Sequence, residues 1–420
     1  MKKKQTQKTS LLASGKHNHS GLREQLRDWM VESKDFQEGL RDVVSGFLNE
    51  VLEREMDEAL GASKSERVEG RVGYRSGYRS RGLVTRFGKI ELRVPQDRDG
   101  RFSTEVFERY QRSEKALVAA LVEMYVRGVS TRKVKEVTET LCGHGFSRSS
   151  VSRAVAALDE QLERFSNRLL DKDYPYLILD ARYEKVRDDD GVVRDRAVLV
   201  ALGINWEGRR EVLAVDLAPD EGGGHWRAFI EGLLARGLSG VKLVISDCHS
   251  GLRRAVREVL PGVRWQRCYV HFLRNAFDHL RHRTDRECLR QLRAIYDYGT
   301  VEGARLALAA WLQKWEAEEP RLCGWAEENI EQTLTFLSLP PAHHKHLKST
   351  NMLERVNQEL KRRTHLVRIF PDEASCLRLS RAVAAEIHDG WIEQHRYLDM
   401  QPLKQQAHEE MVAQPSTNAA

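Results

Sequence analysis

Two short apolar segments, each ending in an aspartate, constrain the fold of this chain most strongly. They are residues 176–180, which end at Asp180, and residues 241–247, which end at Asp247. Apolar runs of this length, bounded by turn residues, are typical of buried strands. Around them the sequence predicts further strands at 194–204, 211–217 and 263–268, and helices at 224–234 and 251–259.

Three strands followed by helix, strand, helix and strand is the order of an α/β, RNase H-like mixed sheet. Its first and fourth strands are neighbours, so Asp180 and Asp247 are expected side by side at one edge. Two adjacent carboxylates repel each other unless a cation neutralises them. Hard oxygen ligands favour Mg²⁺ or Mn²⁺, and two such ions can drive displacement at a phosphodiester. The pair therefore favours a metal site, although either aspartate alone would be better explained as a helix or turn cap.

A third carboxylate is expected on a helix that begins near Ser349 or Thr350. Either side chain can cap that helix, which places Glu354 one turn in. Glu359 is the nearest competitor, and by spacing alone a helical glutamate is more often a solvated surface group. Basic residues on the same helix suit a site that holds metal and phosphate together: Arg355, Lys361, Arg362 and Arg363.

The N-terminal part of the chain changes pattern at about residue 70. Apolar positions recur at helical spacing up to Leu60, which predicts a helix that pairs with another subunit or packs within its own. Residues 83–94 then predict two short strands around a turn, closed by Pro95. The segment from Arg71 to Arg93 contains seven basic residues and one acidic residue. This excess of positive charge is consistent with binding to a phosphate backbone and equally with a basic surface exposed to solvent.

Residues 116–160 contain a candidate helix-turn-helix. Ser130 is expected to cap the first helix and Ser147 the second, with Gly143 and Gly145 in the turn. Such helix pairs also occur in proteins that do not bind DNA, but the neighbouring basic ribbon favours a recognition helix. The predicted DNA contacts are Arg75, Arg79, Arg81, Arg132, Lys133, Ser147, Arg148, Ser149, Arg153, Arg362 and Arg363.

Cysteine spacing and hydropathy exclude several classes of protein. The six cysteines include no CxxC pair, which argues against a disulfide framework or a four-cysteine zinc site. No apolar run approaches the ~18–20 residues that span a bilayer, and polar residues follow the basic start Met1–Lys4. A soluble, cytoplasmic, nucleoid-associated protein without a membrane partner is expected.

Taken together, these segments resemble the bacterial mutator-type transposases, relatives of eukaryotic Mutator-like elements. The resemblance covers about residues 20–400. It rests on Leu179-Asp180-Ala181, Ser246-Asp247, Trp265-Gln266-Arg267-Cys268-Tyr269-Val270-His271-Phe272, Arg274-Asn275, Ser349-Thr350-Asn351, Glu354-Arg355, Asn357, Lys361-Arg362-Arg363 and Ile369-Phe370-Pro371.

The resemblance implies a DDE catalytic triad of Asp180, Asp247 and Glu354 that also binds the metal. Cys268 and His271 match the family's C-x2-H signature, and a helical insertion is implied between the fifth strand and Glu354. No second pair with zinc-ligand spacing is evident, so a structural role is expected for the cysteine and histidine. The residues expected to support the triad are Cys268, His271, Arg355 and Asn357.

The expected function is that of a DNA transposase. It would bind terminal inverted repeats and target DNA as a homodimer or larger assembly, and cleave and transfer strands with Mg²⁺ or Mn²⁺, two ions per site. The alternatives are an RNase H-like nuclease without strand transfer and a non-catalytic, transposase-derived DNA-binding regulator. The predicted regions are a disordered tail (1–20), a helical dimerisation region (21–70), a basic β-ribbon (71–112), a helix-turn-helix-like domain (113–165), the catalytic core (172–275 and 345–400), a helical insertion (276–344) and a second disordered tail (401–420).

Overall fold

The computed structural model describes residues 36–100, 102–106, 113–281, 286–365, 367–394 and 396–413. These residues form two compact units. The first takes in the described residues up to Tyr125 together with Thr131–Ala154, and the second takes in Val126–Ser130 and the described residues from Val155 onward. The predicted tail at 1–20 lies outside the described residues, as does the start of the predicted N-terminal helix. No helix in the described ranges is long and apolar enough to cross a membrane.

A helix packed on a β-ribbon opens the first unit. Helix α1 (Phe36–Leu60) precedes strands β1 (Arg75–Thr85) and β2 (Gly88–Asp97), which pair antiparallel. Leu52 of α1 is fully buried against the apolar side chains of both strands, so part of the helix packs within its own chain. The predicted ribbon is confirmed, but both strands are longer than expected, and Pro95 pairs with Tyr78 within β2 instead of ending it.

Three helices complete the first unit: α2 (Lys115–Val126, to Tyr125), α3 (Thr131–Cys142) and α4 (Arg148–Ala156, to Ala154). The predicted cap at Ser147 is confirmed, because its hydroxyl accepts a hydrogen bond from the Ser150 backbone N–H at 3.2 Å. The Thr138 hydroxyl accepts one from the Phe146 N–H at 3.4 Å and so ties the turn to α3. Helices α3 and α4 therefore occupy the positions predicted for the helix-turn-helix.

A five-stranded mixed sheet forms the centre of the second unit and follows the short helix α5 (Asp159–Ser166). The strand order is β5-β4-β3-β6-β7. Strands β3, β4 and β5 pair antiparallel, whereas β6 lies parallel to both β3 and β7. The first and fourth strands of the sheet are thus neighbours, as predicted. The strands are β3 (Tyr176–Arg187), β4 (Val193–Ile204), β5 (Arg210–Ala218), β6 (Leu243–Ser246) and β7 (Arg264–Arg267).

Helices α6 (Gly223–Ala235) and α7 (Ser250–Val259) share one hydrophobic core with the sheet. Trp226 of α6 is fully buried in the cluster that contains Leu177 and Leu179 of β3. Successive side chains of a strand point to opposite faces. Asp180 of β3 therefore faces away from this core.

The remaining helices lie after β7. The predicted insertion region contains α8 (Tyr269–Phe277, in part), α9 (Arg286–Ala294), α10 (Val301–Trp315), α11 (Pro320–Asn329) and α12 (Pro341–Leu347). Beyond it lie α13 (Asn351–Thr364), α14 (Glu373–Ile392) and α15 (Gln401–Ala413).

The expectation of a disordered tail from residue 401 is wrong for its first part, because residues 401–413 form α15. Leu403 is 2% exposed, and the Gln406 side chain donates a hydrogen bond to the Ser338 carbonyl at 2.9 Å. The preceding residues run against the β4–β5 turn, where a Cβ on Gly208 (φ +76°) would lie 1.8 Å from the Leu398 oxygen. Residues 414–420 lie outside the described residues.

Candidate active site

Asp180 lies within strand β3 and not at its end, which corrects one expectation. The antiparallel pairing with β4 extends to Arg187, whereas the parallel pairing with β6 stops at Ile178 and Ile245. Strand β6 ends at Ser246 and Asp247 follows it directly. Asp180 and Asp247 each lie two residues beyond the last pair, Ile178 and Ile245, so they would be opposite each other if the β3–β6 pairing continued. The parallel strands therefore bring the two aspartates to one edge of the sheet.

The Asp180 carboxylate is buried and held by two donors. Only 7% of the residue is exposed. Its Oδ1 accepts from the Ala181 backbone N–H at 3.0 Å, and its Oδ2 accepts from the Asn357 side-chain amide at 3.0 Å. Burial raises the pKa of Asp180 to about 7, and the negative charge of Asp247 adds to this while His271 opposes it. The protein thus holds a carboxylate where a negative charge is costly.

Asp247 begins the turn into α7. Its Oδ1 accepts a hydrogen bond from the His249 backbone N–H at 3.1 Å, which fixes the carboxylate at the end of the sheet. The side chain stays partly exposed, in contrast to Asp180. Asp247 is therefore the more solvated of the two carboxylates.

Glu354 lies on the face of α13 that contacts this site. Thr350, four residues earlier, donates from its N–H and its hydroxyl to the Cys268 sulfur, each at 3.4 Å. Asn357, three residues later, contacts Asp180. Residues three and four apart on a helix are neighbours, with Cβ atoms about 5–6 Å apart. Glu354 therefore lies between two side chains that contact the site, and it is itself partly exposed.

The predicted cap of α13 has a different role in the structure. Thr350 is the N-cap residue, but its side chain makes no capping hydrogen bond. Its hydroxyl is instead directed to Cys268. The Ser349 hydroxyl accepts from the Asn351 N–H at 3.4 Å. Thr350 therefore joins the start of α13 to the end of β7.

Cys268 and His271 form a hydrogen-bonded pair between α13 and the aspartates. Burial alone would raise the pKa of the Cys268 thiol, but the hydrogen bond and charge of His271 outweigh it and lower that pKa. The hydrogen bond to Cys268, with the charges of Asp180 and Asp247, raises the pKa of His271. The imidazole of His271 thus lies close enough to the two carboxylates to interact with them electrostatically, and it opposes the rise in the pKa of Asp180.

Two residues near the aspartates were missed in the sequence. Glu221 precedes α6, and burial together with the charge of Asp247 raises the pKa of its carboxyl. Tyr183 is hydrogen-bonded to Glu221, and burial raises the pKa of its phenol. The one signal in the sequence is a carboxylate followed by three glycines at 222–224. Glycines of this kind indicate a close approach of the backbone but do not specify what lies beside it.

The carboxylates suit a divalent cation in their chemistry. Oxygen ligands are the ligands that Mg²⁺ and Mn²⁺ prefer, and a cation would offset the cost of the buried charge on Asp180. Across the described ranges, however, no three His, Cys, Asp or Glu side chains are grouped closely enough to hold a metal ion. The structure thus brings Asp180 and Asp247 together and places Glu354 on the adjoining helix face. The three carboxylates are not grouped closely enough to form a complete set of metal ligands.

The residues predicted to contact DNA fall into two groups. Those at the start of α4 and on α3 are exposed, as are Arg79 and Arg362, while Arg81 is partly exposed. The α3–α4 set contains Arg132, Lys133, Ser147, Arg148, Ser149 and Arg153. Arg355, predicted as a supporting residue, is exposed on α13.

Arg75 and Arg363, also predicted to contact DNA, differ from the exposed group because each lies in an ion pair. The side chain of Arg75 is 13% exposed and is paired with Asp57 and, at 2.7 Å, with Glu53. The side chain of Arg363 is 3% exposed, is paired with Glu386, and donates to a backbone carbonyl. Both guanidinium groups are paired with carboxylates within their own units, so a phosphate would have to displace those carboxylates to bind either arginine.

Comparison with known proteins gives the family. The sequence model described as "Transposase, Mutator family" matches residues 16–394. The transposase for insertion sequence element ISRM5 of Rhizobium meliloti (strain 1021) is 59% identical over 380 residues, covering 90% of this chain and 94% of that protein. The transposase for IS406 of Burkholderia multivorans is 44% identical (87% and 94% covered), and that for IS256 in transposon Tn4001 of Staphylococcus aureus is 39% identical (84% and 90% covered). This chain therefore belongs to the Mutator family of transposases.

Proposed function

We propose that the chain is a DNA transposase that binds the terminal inverted repeats of an insertion sequence and cleaves and transfers DNA strands. Its sheet would be RNase H-like, and Asp180, Asp247 and Glu354 would form the metal-binding catalytic triad. One observation carries the proposal. In a member of this transposase family, the neighbouring parallel strands β3 and β6 present Asp180 and Asp247 in register at one edge.

The surrounding residues would orient the carboxylates for this role. The Ala181 N–H and the Asn357 amide fix both oxygens of Asp180, and the His249 N–H fixes one oxygen of Asp247. Bound Mg²⁺ or Mn²⁺ would activate the attacking oxygen and stabilise the leaving oxygen. We propose that the Glu354 side chain completes the ligand set, since it lies one helical turn from Asn357.

One carboxylate site can serve both chemical steps, because each is an in-line displacement at phosphorus. In the first step a water oxygen bonds to the phosphorus at the transposon end, and the bond to the 3′-oxygen breaks. In the second step that 3′-hydroxyl attacks a target phosphodiester, and the target strand's own 3′-oxygen leaves. Two ends must be joined to one target, so we expect at least a dimer on DNA.

The direct test of the function is incubation of a labelled transposon end with target DNA and Mg²⁺ or Mn²⁺. We expect cleavage at the end and a product in which the end is covalently joined to the target. Cleavage without any joined product would favour the nuclease alternative. Specific binding without cleavage would favour the non-catalytic regulator.

Arg148 and Arg153, at the exposed start of α4, are expected to contact DNA phosphates or base edges. Replacing both with alanine should weaken end binding and reduce the slope of log affinity against log salt by about 2, since each phosphate contact contributes about 0.9. Arg164 of α5, whose side chain is 74% exposed, provides the control substitution Arg164→Ala. Fluorescence anisotropy over a salt series measures both quantities. Equal slopes for the double variant and the control would refute this assignment of α4.

A further inference from the structure

Helix α7 presents a row of arginines that has no role in the proposed chemistry. Its inner face, formed by Leu252, Ala255 and Val256, is buried in the core. Its outer face borders an open cleft of about 430 Å³. We name this the arginine cleft; it is lined by Ser250, Arg253, Arg254, Arg257 and Glu258.

The arginine cleft begins beside the carboxylates. Helix α7 starts three residues after Asp247. A Cβ built on Gly251 would lie 2.5 Å from the Glu221 backbone oxygen, so the start of α7 abuts the loop that carries Glu221. A second cleft of about 280 Å³ adjoins the first and adds Arg227 of α6. A basic surface thus leads away from the site along α7.

The charge of this surface is positive after its own acids are counted. Four arginines, at 227, 253, 254 and 257, are offset by Glu231 and Glu258, which leaves a formal charge of +2. Glu258 pairs with Arg254 at 2.7 Å and with Arg227 at 3.7 Å. The side chain of Arg254 is 78% exposed and that of Arg227 is 55% exposed, and exposed ion pairs contribute only about 0–1 kcal/mol. A phosphate can therefore compete with Glu258 for them.

Arg253 is held in place more firmly than its neighbours. Its guanidinium lies over the Trp265 ring, 4.7 Å from the ring centroid, and one nitrogen is 3.7 Å from the Cys248 sulfur. Stacking on an aromatic ring leaves the edge of a guanidinium able to donate to phosphate oxygens. The cleft therefore has one cation held against an aromatic ring and two exposed ones, Arg254 and Arg257.

We propose that the arginine cleft binds backbone phosphates of the DNA next to the phosphodiester held at Asp180 and Asp247. The proposal rests on the proposed function and adds the path of the DNA beside that site. From Ser250 to Arg257 the helix rises about 10 Å at 1.5 Å per residue. That length equals about three base pairs at 3.4 Å each, so the contacts fall within about three base pairs of the cut.

The test compares Arg254→Gln/Arg257→Gln with a matched control, Arg290→Gln/Arg305→Gln. The control arginines are 77% and 57% exposed and each pairs with a glutamate, so both double variants remove two charges from the protein surface. Binding to a labelled transposon-end duplex is measured by anisotropy over a salt series, with Ca²⁺ in place of Mg²⁺ to prevent cutting. Thermal melts confirm that both variants fold.

We expect the slope of log affinity against log salt concentration to decrease in magnitude by about 2 in the cleft variant and to stay unchanged in the control. Neutral methylphosphonates within about three base pairs of the cut should weaken binding of the unmodified protein more than binding of the cleft variant, which keeps Arg253 and Arg227. An unchanged slope, or equal methylphosphonate sensitivity in the cleft variant and the unmodified protein, overturns the proposal. Failure of the unmodified protein to cleave ends with Mg²⁺ would refute the proposed function instead, because the binding test needs no cleavage.

Discussion

Asp180→Asn is expected to abolish DNA cleavage and joining while making the metal-free protein more stable. The substitution removes a proposed metal ligand but also removes a buried charge. The asparagine fits the site, because the buried Oδ1 of Asn357 has no hydrogen-bond partner. If the side-chain amide of Asn357 rotates by about 180°, its oxygen can accept a hydrogen bond from the NH₂ group of the asparagine introduced at position 180.

The direction of the stability effect follows from the pKa of Asp180, which is raised from 3.8 to about 7 in the folded protein. The folded state therefore holds this proton more tightly than the unfolded state. The resulting stabilisation is fully present below about pH 4 and is lost as the pH rises through about 7. At pH 8 the variant, which carries no charge there, should be more stable than the unmodified protein by up to about 4 kcal/mol.

Thermal melts at pH 5 and pH 8 with EDTA, and again with Mn²⁺, measure this effect. The gain from Asp180→Asn should be larger at pH 8 than at pH 5. Mn²⁺ should stabilise the unmodified protein more than the variant. A variant that is less stable than the unmodified protein at pH 8 without metal would contradict this account of Asp180.

Glu354→Gln is expected to lower the rate of cleavage by about 10³-fold, whereas Glu359→Gln should change it only a few-fold. Loss of a metal ligand removes several kcal/mol of transition-state stabilisation, and about 4 kcal/mol corresponds to that factor. Glu359 is a suitable control because it lies on the same helix and pairs with Arg362 at 2.9 Å. Its side chain is directed to Arg362 and, at 3.6 Å, to Arg363, and not to the aspartates.

Single-turnover cleavage of a labelled end measures both rates, and anisotropy shows whether DNA binding persists. We expect binding within a few-fold of the unmodified protein for both variants. Equal cleavage by Glu354→Gln and Glu359→Gln would remove Glu354 from the triad. Loss of DNA binding by a folded Glu354→Gln would assign the residue to DNA contact instead.

The strand order was predictable because the core strands carry apolar runs separated by turn residues. The extent of β3 was not. Beyond Asp180 the strand contains Arg182 and Glu184, whose charges break the apolar run. In the structure they pair at 2.5 Å, and Glu184 also accepts from the Thr364 hydroxyl at 3.0 Å. Charged strand residues that pair with each other and with a side chain far away in the chain cannot be distinguished from a loop in a single sequence.

The same reason explains why the sequence did not show that two of the predicted DNA contacts, Arg75 and Arg363, are buried in ion pairs. A cluster of basic residues indicates positive charge but does not show which cations have carboxylate partners far away in the chain. Arg75 pairs with Glu53 and Asp57 of α1, and Arg363 pairs with Glu386 of α14. Only the tertiary structure distinguishes these buried, paired arginines from the exposed Arg148 and Arg153.

Glu221 shows what spacing alone misses in a site. The aspartates were found because each ends an apolar run, and Glu354 because it begins a helix among basic residues. Glu221 lies in a loop with neither signal, and it approaches Asp247 only because α6 and α7 begin side by side. Its position depends on the packing of two helices, which no local pattern specifies.

The central claim, that Asp180, Asp247 and Glu354 share divalent cations, can be tested by iron-directed cleavage of the protein chain. Fe²⁺ replaces Mg²⁺ in the DNA-bound protein, ascorbate and peroxide generate radicals at the ion, and mass spectrometry maps the backbone cuts. We expect cuts beside all three residues, suppressed by excess Mg²⁺ and absent in Asp180→Asn. Cuts near Asp180 and Asp247 with none near Glu354 would contradict the claim.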